Sequence, residues 1–405
     1  MSRKRIVITG MGAVTPVGVG VPAYWKGVTS GKCGIGEITG LETYGLPIKY
    51  AAKVTDFNPK DFLPTKLVQD LEQYMYYAYV SAEEAVKQSG LNAFGVRTGI
   101  IMGTALSGVS MVGENGFRAA LGGKTAGPKF LTKAMGNIAA AQFAISHKIQ
   151  GPCMTVSTAC SSGGDAVMLA SMLIRSGAAD AVVVMAGEAA ICPPIIRSLA
   201  RTGALSKTGE SRPFDKFRNG FVMGEGGGAL ILESEEHARS RGAQIIAEVL
   251  GCANTNDAYN PVSPEPDGMG AARCIKLSLE DAGLSPDQID YVNAHGTSTA
   301  VGDLAESKAI RWVYGGRPVF VSSTKGATGH MMGAGGVTEI IACVKAIETG
   351  LMPLNTGMRE QDDRCGLNIV TKDNQAQNVR IAMSDAFGFG GQNSCVIVGR
   401  YEAHE

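Results

Sequence analysis

The sequence predicts a large α/β fold built from two similar halves. The chain has 405 residues, 45% of them hydrophobic, which is enough for a large core. Strand-like and helix-like segments alternate, and the order β-α-β-α-β-α-β-β occurs twice. Such a duplication predicts mainly parallel strands, with an active site at the carboxyl ends of strands where the halves meet.

The first half starts with a buried strand at residues 5–9 and continues with alternating helices and strands. Helices are predicted at residues 22–28, at residues 71–89 with a stop at Gly90, and at residues 134–148. Further strands are predicted at residues 99–103, 154–156, 181–186 and 228–233. Residues 40–70 are predicted to be irregular, and the loop before residue 228 is long enough to indicate a functional role.

The second half repeats this order. Strands are predicted at residues 245–250, 290–293, 319–322, 379–384 and 394–399, and helices at residues 269–282, 302–313 and 335–349. We therefore divide the chain into an N-terminal half, residues 1–244, and a C-terminal half, residues 245–405.

Composition and charge argue against several classes of function. The 37 basic and 37 acidic residues cancel, which gives no support to nucleic-acid binding or a polybasic membrane anchor. The nine cysteines lack metal-ligand spacing, so neither a metal centre nor a disulfide framework is expected. We expect a cytoplasmic protein, because the N-terminus lacks the pattern of a signal peptide and no run is long enough to span a bilayer.

A nucleotide site at the first strand is also disfavoured. The turn at Gly10 and Gly12 begins like a dinucleotide fingerprint. However, Thr15 stands where the third glycine should be, and no acidic residue closes a second strand at the right distance.

Cys160 is predicted to lie in a tight turn between a strand and a helix that covers about residues 161–176. Unpaired backbone N–H groups and the helix dipole at this end favour the thiolate, which is the nucleophilic form. Gly163 and Gly164 in the first helical turn indicate that backbone or substrate comes close there. The alternative is a buried structural cysteine.

Two of the five histidines follow predicted strands of the second half. His295 and His330 are both expected at strand ends, in the same kind of place as Cys160. The other three, His147, His237 and His404, are expected at the surface. Two imidazoles at the edge where the active site is expected indicate a catalytic role.

The glycine-rich turn at residues 387–393 lies between the last two strands. Its glycines could present backbone N–H groups as an oxyanion hole, and an ordinary hairpin is the alternative. A cysteine nucleophile, two histidines, Lys325 and such a turn suit carbon–carbon bond formation through thioesters. A papain-like hydrolase would not need the second histidine or the lysine.

Four motifs give the chain a family resemblance: Thr-Ala-Cys-Ser-Ser-Gly at residues 158–163, Asn-Ala-His-Gly-Thr-Ser-Thr at 293–299, Lys-Gly-Ala-Thr-Gly-His at 325–330 and Gly-Phe-Gly-Gly at 388–391. With them the chain resembles the β-ketoacyl-acyl carrier protein synthases over nearly its whole length, above all the elongating KAS II class. The resemblance implies a thiolase fold in five layers, α-β-α-β-α, and a homodimer, and no cofactor is expected. It also implies a partner, an acyl carrier protein that bears acyl and malonyl phosphopantetheine thioesters.

The implied reaction is a decarboxylative Claisen condensation that gives 3-oxoacyl-acyl carrier protein and CO2 in fatty acid elongation. By the resemblance, Cys160 would accept the acyl chain, while His295 and His330 would promote decarboxylation of the malonyl group and bind its thioester oxygen. The N–H groups of Cys160 and Phe389 would form the oxyanion hole, Phe389 would gate the acyl pocket, and Leu106 would form part of its wall. Further substrate contacts would come from Thr297, Thr299, Phe387 and Gly390.

The resemblance also implies supporting roles for charged residues. Lys325 would set the electrostatics of the site and pair with Asp303 or Glu306. Glu339 would be a structural acid near a possible monovalent cation site.

One segment departs from the family pattern. Many relatives carry clustered Arg and Lys in the segment aligned with residues 63–71, whereas this chain has Lys66 and Asp70 there. Steering of an acidic carrier protein would therefore be weaker at this patch. Basic residues that could compensate are Arg197, Arg201, Lys207 and Lys216.

Several related functions remain as alternatives. The departure at residues 63–71 leaves open a polyketide-type ketosynthase of a specialised pathway and a heterodimer with a related subunit. A silent, chain-length-factor-like subunit would be expected to lack Cys160. A degradative thiolase would carry a second catalytic cysteine in its glycine-rich C-terminal motif, and an initiating KAS III-type enzyme would have Asn in place of His330.

Overall fold

The computed structural model describes residues 3–40, 44–123 and 126–403, so the predicted surface position of His404 lies outside the described residues. The strands are β1 (Ile6–Thr15), β2 (Gly18–Val19), β3 (Ile35–Glu37), β4 (Tyr50–Ala52), β5 (Thr98–Gly103), β6 (Cys153–Val156), β7 (Ala181–Glu188), β8 (Gly226–Ser234), β9 (Ala247–Asn256), β10 (Tyr291–Asn293), β11 (Phe320–Ser322), β12 (Asn368–Ile369), β13 (Ile381–Gly388) and β14 (Gln392–Gly399). The helices are α1 (Val21–Ser30), α2 (Thr65–Asp70), α3 (Gln73–Ser89), α4 (Val109–Ala120), α5 (Phe130–Ala134), α6 (Ile138–His147), α7 (Ser162–Arg175), α8 (Pro193–Thr202), α9 (Glu235–Ser240), α10 (Met269–Ala282), α11 (Ala300–Tyr314), α12 (Lys325–Thr328) and α13 (Gly335–Thr349). None of the helices within these described ranges is both long and apolar enough to cross a membrane.

The two halves share one strand order. The N-terminal half has the order β6-β5-β7-β8-β1, and the C-terminal half has β11-β10-β13-β14-β9 with β12 added beyond β11. In each half one strand, β8 or β14, runs against the others. The antiparallel pairing of β1 with β9 joins the two half-sheets. The predicted repeat and its mainly parallel direction are confirmed.

The helices are arranged in three layers around these half-sheets. Helices α7 and α13 contact each other and strands of both halves, so they form a central layer. Helices α3 and α6 pack on the outer face of the N-terminal half-sheet, and α10 and α11 pack on that of the C-terminal one. The result is the α-β-α-β-α order that the family resemblance implies.

The two central helices approach each other at glycines. A Cβ atom on Gly163 would lie 2.8 Å from the backbone nitrogen of Val337, and one on Gly336 would lie 2.7 Å from that of Gly164. Only glycine permits such distances, which confirms the close approach predicted at Gly163 and Gly164. The segments that precede α7 and α13 are thereby brought together.

The first strand differs from its prediction. It was expected to end at residue 9, but β1 continues through Gly10 and Gly12 to Thr15. A Cβ atom on Gly10 would lie 2.0 Å from the carbonyl oxygen of Ala85, and one on Gly12 would lie 1.9 Å from that of Ser81. These glycines therefore let β1 pack directly against the backbone of α3, which explains why the resemblance to a nucleotide fingerprint is incidental.

Several short elements were not predicted. Helix α8 lies inside the long loop before β8, and β4 and α2 lie in residues 40–70, which were expected to be irregular. Helix α8 begins with two prolines, which suit a first helical turn because its N–H groups have no intrahelical acceptor. The expected surface position of His147 is also wrong, because its ring stacks on Phe143 at a centroid distance of 4.1 Å and its side chain is only 16% exposed.

Candidate active site

Cys160 lies between β6 and α7 in a single turn of 3-10 helix, Ala159–Ser161. The φ angle of Ala159 is 51°, a left-handed conformation that residues other than glycine rarely adopt. The Ser161 hydroxyl lies 2.9 Å from the carbonyl oxygen of Ala386 and 2.7 Å from that of Gln392. These bonds tie the turn to β13 and β14, and the predicted strand–turn–helix arrangement is confirmed.

Three side chains from the two halves converge at this turn. The sulfur of Cys160 lies 3.0 Å from Nε2 of His330. One side-chain nitrogen or sulfur atom from each of Cys160, His295 and His330 lies within 4.8 Å of the other two. The rings of His295 and His330 are 5.3 Å apart at an angle of 84°. All three side chains are buried.

The two histidines are held by their backbones. The N–H groups of His295 and Gly296 each donate to Glu306 at 2.7 Å, so this carboxylate fixes the loop after β10. The N–H of His330 donates to the carbonyl oxygen of Val222 at 2.7 Å. The ring of Phe221 packs edge-on against that of His330 at 5.3 Å.

Lys325 does not pair with Asp303 or Glu306, so this prediction is wrong. Its ammonium group forms an ion pair with Glu339 of α13, and the two side chains are only 2% and 3% exposed. The carboxylate of Glu306 is occupied by backbone N–H groups. Asp303 accepts the N–H of Phe214 at 2.8 Å. The carboxylate of Glu339 projects from α13 toward the start of α12, where it can pair with the lysine.

Burial dominates the protonation of these groups. Burial raises the pKa of Cys160 to about 11, although the Lys325 ammonium and the Phe389 N–H oppose this rise. Burial, together with Lys325, holds the pKa of His295 and of His330 well below the usual range. The free site therefore contains a thiol and two neutral imidazoles at pH 7. The helix end at Cys160 does not outweigh desolvation, contrary to the expected thiolate.

The glycine-rich turn covers Cys160. A Cβ atom on Gly388 would lie 3.1 Å from the backbone nitrogen of Cys160 and 3.1 Å from the carbonyl oxygen of Thr158. The turn then reverses at Gly390, whose φ is 83°, and the N–H of Phe389 hydrogen-bonds to the thiol. The Phe389 side chain is 36% exposed, at the mouth of the site.

A cavity of about 270 Å³ opens at Cys160. The predicted site residues that line it are Cys160, His295, Thr297, Thr299, Glu306, His330, Phe387 and Phe389. Leu106 packs instead on the apolar cluster that contains Cys160, and the N–H of Gly390 is bound to the carbonyl oxygen of Pro261 at 2.8 Å. Asp303, Lys325 and Glu339 lie behind the lining.

Two contributors to the site were not predicted from the sequence. Phe221 packs on His330 and lines the cavity, and only its place in the unusually long loop before β8 pointed to it. Arg218 in the same loop is buried and donates to the carbonyl oxygens of Thr299 at 3.1 Å and Ala300 at 3.0 Å. It thereby holds the end of the loop that carries Thr297 and Thr299.

The chain is similar to known proteins over nearly its whole length. Models of the N-terminal and C-terminal domains of β-ketoacyl synthases match residues 3–238 and 246–359. The chain is 36% identical to 3-oxoacyl-[acyl-carrier-protein] synthase 2 of Synechocystis sp., over 99% of both chains. It is 35% identical to the protein of the same name from Coxiella burnetii, again over 99% of both.

Solved structures give a similar result. The ishigamide ketosynthase/chain length factor superimposes with a TM-score of 0.92 at 35% identity, over 99% of this chain and 100% of that one. A type II polyketide acyl carrier protein in complex with its ketosynthase, AntDE:AntF, gives a TM-score of 0.90 at 31% identity, over 99% and 100%.

Proposed function

We propose a function for this chain from one premise, which is that it belongs to the β-ketoacyl synthase family. The thiolase fold expected from the sequence is confirmed by the ketosynthase structures on which the chain superimposes. The proposed reaction joins an acyl group on the enzyme to malonyl-acyl carrier protein and gives 3-oxoacyl-acyl carrier protein and CO2. The convergence of Cys160, His295 and His330 in one cavity is the observation that carries this proposal.

The first step loads the acyl group onto the enzyme. The sulfur of Cys160 attacks the carbonyl carbon of the acyl thioester and forms a new carbon–sulfur bond. The bond to the phosphopantetheine sulfur then breaks, and the thiol proton passes through Nε2 of His330, 3.0 Å away, to the departing sulfur. The N–H groups of Cys160 and Phe389 stabilise the negative oxygen of the tetrahedral intermediate.

The second step uses the malonyl thioester. The bond between the malonyl methylene carbon and the carboxylate breaks, and CO2 leaves. The electron pair of that bond forms an enolate, whose oxygen accepts hydrogen bonds from the N–H groups of His295 and His330. The lowered pKa values keep both imidazoles neutral, so each ring carries one N–H. His330 accepts the thiol proton in the first step with its hydrogen on Nδ1, and it donates in the second step with the hydrogen on Nε2. The enolate carbon attacks the acyl carbonyl carbon, and the Cys160 sulfur leaves with its electron pair and takes a proton from water. The buried Lys325 ammonium opposes protonation of both rings.

An acyl carrier protein is the proposed partner, and α8 offers a surface for it. Arg197, Arg201 and Lys207 line a groove along α8 whose described lining includes no carboxylate. Residues 202–204, at the end of the same helix, line the active-site cavity. This positive groove suits an acidic partner that must insert its thioester nearby. Lys216 is less suitable because it pairs with Glu360 at 2.6 Å.

We also propose a homodimer that forms through the edge of β6. Among the described strands β6 pairs with β5 alone, which leaves its outer edge open. Apolar side chains around this edge are exposed: Ile145 by 72%, Met154 by 38% and Met172 by 55%. An unpaired strand flanked by apolar surface favours pairing with a second copy.

All nine cysteines are free, which supports a location in the reducing cytoplasm.

The test of the proposed function is intact-protein mass spectrometry after incubation with acyl carrier proteins of different chain lengths. Wild type should gain one acyl group, and Cys160→Ala should gain none. Cys33→Ala, which removes an exposed thiol outside both the site and the proposed dimer edge, serves as the matched control and should behave like wild type. Acylation of Cys160→Ala would disprove the nucleophile, and wild type that accepts no acyl group would point to a silent partner subunit.

A polyketide-type ketosynthase is the second candidate, and the similarity to the two polyketide-type structures favours it. The same residues serve both reactions, so the distinction lies in the acyl group accepted. A fatty acid elongating enzyme should prefer saturated acyl carriers. Preferential loading from carrier proteins that bear 3-oxoacyl or polyunsaturated acyl groups, in the same experiment, would favour the polyketide-type function.

A further inference from the structure

Glu188, the last residue of β7, is a buried carboxyl group that the proposed mechanism does not use. Its side chain is fully shielded from solvent. Its carboxylate oxygens accept hydrogen bonds from the backbone N–H groups of Ala105, Leu106 and Gly333, with N–O distances of 2.7, 3.2 and 3.3 Å. A buried carboxylate that receives several backbone N–H groups holds the segments that donate them.

These hydrogen bonds connect the two halves of the molecule at the site. Ala105 and Leu106 belong to the loop after β5, and Leu106, which the family resemblance assigns to the wall of the acyl pocket, packs on the apolar cluster that contains Cys160. Gly333 follows His330 by three residues and belongs to the C-terminal half. The two segments touch, because a Cβ atom on Gly333 would lie 2.5 Å from the backbone nitrogen of Ala105.

Both segments contain strained backbone next to the hydrogen bonds. Ser107, which follows Leu106, has a φ of 50°, and Met332, which precedes Gly333, has a φ of 46°. Residues other than glycine keep such conformations only where their surroundings hold them. The Glu188 carboxylate supplies this restraint on both sides of the contact.

Glu188 also acts on the nucleophile through its charge. Its carboxylate is one of the groups that raise the pKa of Cys160. Burial raises the pKa of Glu188 itself to about 7, and the three backbone N–H groups oppose that rise. Replacement of Glu188 by a neutral side chain should therefore lower the pKa of Cys160, an effect that a loss of packing alone would not produce.

We propose that Glu188 is a positioning residue that determines acyl-chain specificity. It holds the Leu106 loop against the turn after His330 and so fixes the wall of the acyl pocket beside Cys160. This inference rests on the proposed function, since it concerns the pocket that the acyl group enters.

The test is Glu188→Gln, which keeps the shape but replaces one acceptor oxygen by an amide NH2 group. One carboxylate oxygen serves Ala105 and Gly333 and the other serves Leu106, so the single amide oxygen can no longer accept from all three N–H groups. The pocket wall should therefore be held less firmly, and carrier proteins with longer acyl chains should load faster relative to those with shorter chains. The ratio of their loading rates should change by about 3- to 10-fold, the effect of one hydrogen bond. Alkylation of Cys160 by iodoacetamide at pH 8 should also become several-fold faster, because loss of a nearby negative charge lowers the thiol pKa.

Glu84→Gln is the matched control. Glu84 also accepts two backbone N–H groups, from Ala13 at 2.9 Å and Val21 at 2.8 Å, but these lie on β1 and α1. This variant should keep the chain-length ratio and the alkylation rate of wild type. Glu188→Asp keeps the charge and shortens the side chain, so it should change the ratio and leave the alkylation rate near that of wild type.

The inference is overturned if Glu188→Gln keeps the chain-length ratio of wild type, whatever its alkylation rate, or if Glu84→Gln changes that ratio equally. If Glu188→Gln does not fold, an unchanged ratio in Glu188→Asp would overturn it. A wild-type protein that loads no acyl carrier would contradict the proposed function and remove the specificity role with it. The alkylation rates would still report the charge effect, which distinguishes the two failures.

Discussion

Equivalent strands of the two halves lead to different chemical groups. Strands β6 and β11 occupy the same place in their half-sheets, yet β6 leads to Cys160 and β11 to Lys325 and His330. Likewise β5 leads to the Leu106 loop and β10 to His295. The N-terminal half thus supplies the thiol and the Leu106 loop, and the C-terminal half supplies the imidazoles. The fold duplicates the scaffold but not the chemistry, so mutations in the two halves should separate the reaction steps.

Variants of Cys160 and His330 should show the largest effects and test whether the two halves carry separate reaction steps. Cys160→Ala should abolish acyl transfer and leave decarboxylation of malonyl-acyl carrier protein, because both imidazoles remain. His330→Ala should lower decarboxylation by about 10²- to 10³-fold, the usual cost of losing one donor to a developing negative oxygen. Release of CO2 and the acyl adduct are measured on the same samples. Normal decarboxylation by His330→Ala would mean that the C-terminal half does not carry this step.

Sequence periodicity predicted the long elements of both halves. Helix α10 was expected at residues 269–282 and is Met269–Ala282, and α13 was expected at residues 335–349 and is Gly335–Thr349. Both have apolar residues at helical spacing over several turns and end at glycines. Short elements such as α5 and β4 lack enough residues for a period to show, so their positions depend on tertiary packing.

For the candidate site, the sequence could place chemical groups at strand ends but could not choose their partners. Asp303 and Glu306 were the predicted partners of Lys325, whereas Glu339 is the observed one. The choice depends on which carboxylate the backbone N–H groups leave free, and that is known only after folding. The rise in the pKa of Cys160 was missed for a similar reason, because it arises from the elements that bury the thiol.

The two central helices provide the next test, since each carries a carboxylate near its start. In α7, Asp165 is bound by neutral donors, Thr158 at 2.6 Å and Asn254 at 2.9 Å. In α13, Glu339 is bound by the Lys325 ammonium. A buried charge that loses an ionic partner is costlier than one that loses a neutral donor, because its desolvation is no longer offset.

Lys325→Met should therefore lower the free energy of unfolding by about 3–5 kcal/mol, since it leaves Glu339 charged and unpaired. Thr158→Val, which removes a neutral donor to Asp165, should cost only about 1–3 kcal/mol. The double variant Lys325→Met/Glu339→Leu should regain much of the lost stability but not the activity. Urea unfolding measures all three, and equal losses in the two single variants would contradict this difference between α7 and α13.

The middle strands of the two half-sheets, β7 and β13, provide the contrast with the smallest expected effect. Glu188 of β7 accepts three backbone N–H groups. Asp385 of β13 is equally buried, yet no N–H or O–H donor among the described residues reaches its carboxyl oxygens. Burial raises the pKa of Asp385 from 3.8 to about 7, and the weak Cys395 thiol donor beside it opposes this rise.

Because this folded pKa lies above the ordinary value, the fold favours the protonated acid, and Asp385 lowers stability as the pH rises from about 4 to about 7. Asp385→Asn should therefore stabilise the protein at pH 8, by on the order of 2 kcal/mol, and by much less at pH 5. Glu188→Gln also removes a buried charge, but the stability that this gains at pH 8 should be offset by the loss of an acceptor for backbone N–H groups. Thermal unfolding at both pH values measures this difference. If Asp385→Asn shifts the midpoint equally at pH 5 and pH 8, Asp385 is not the titrating group that distinguishes the two strands.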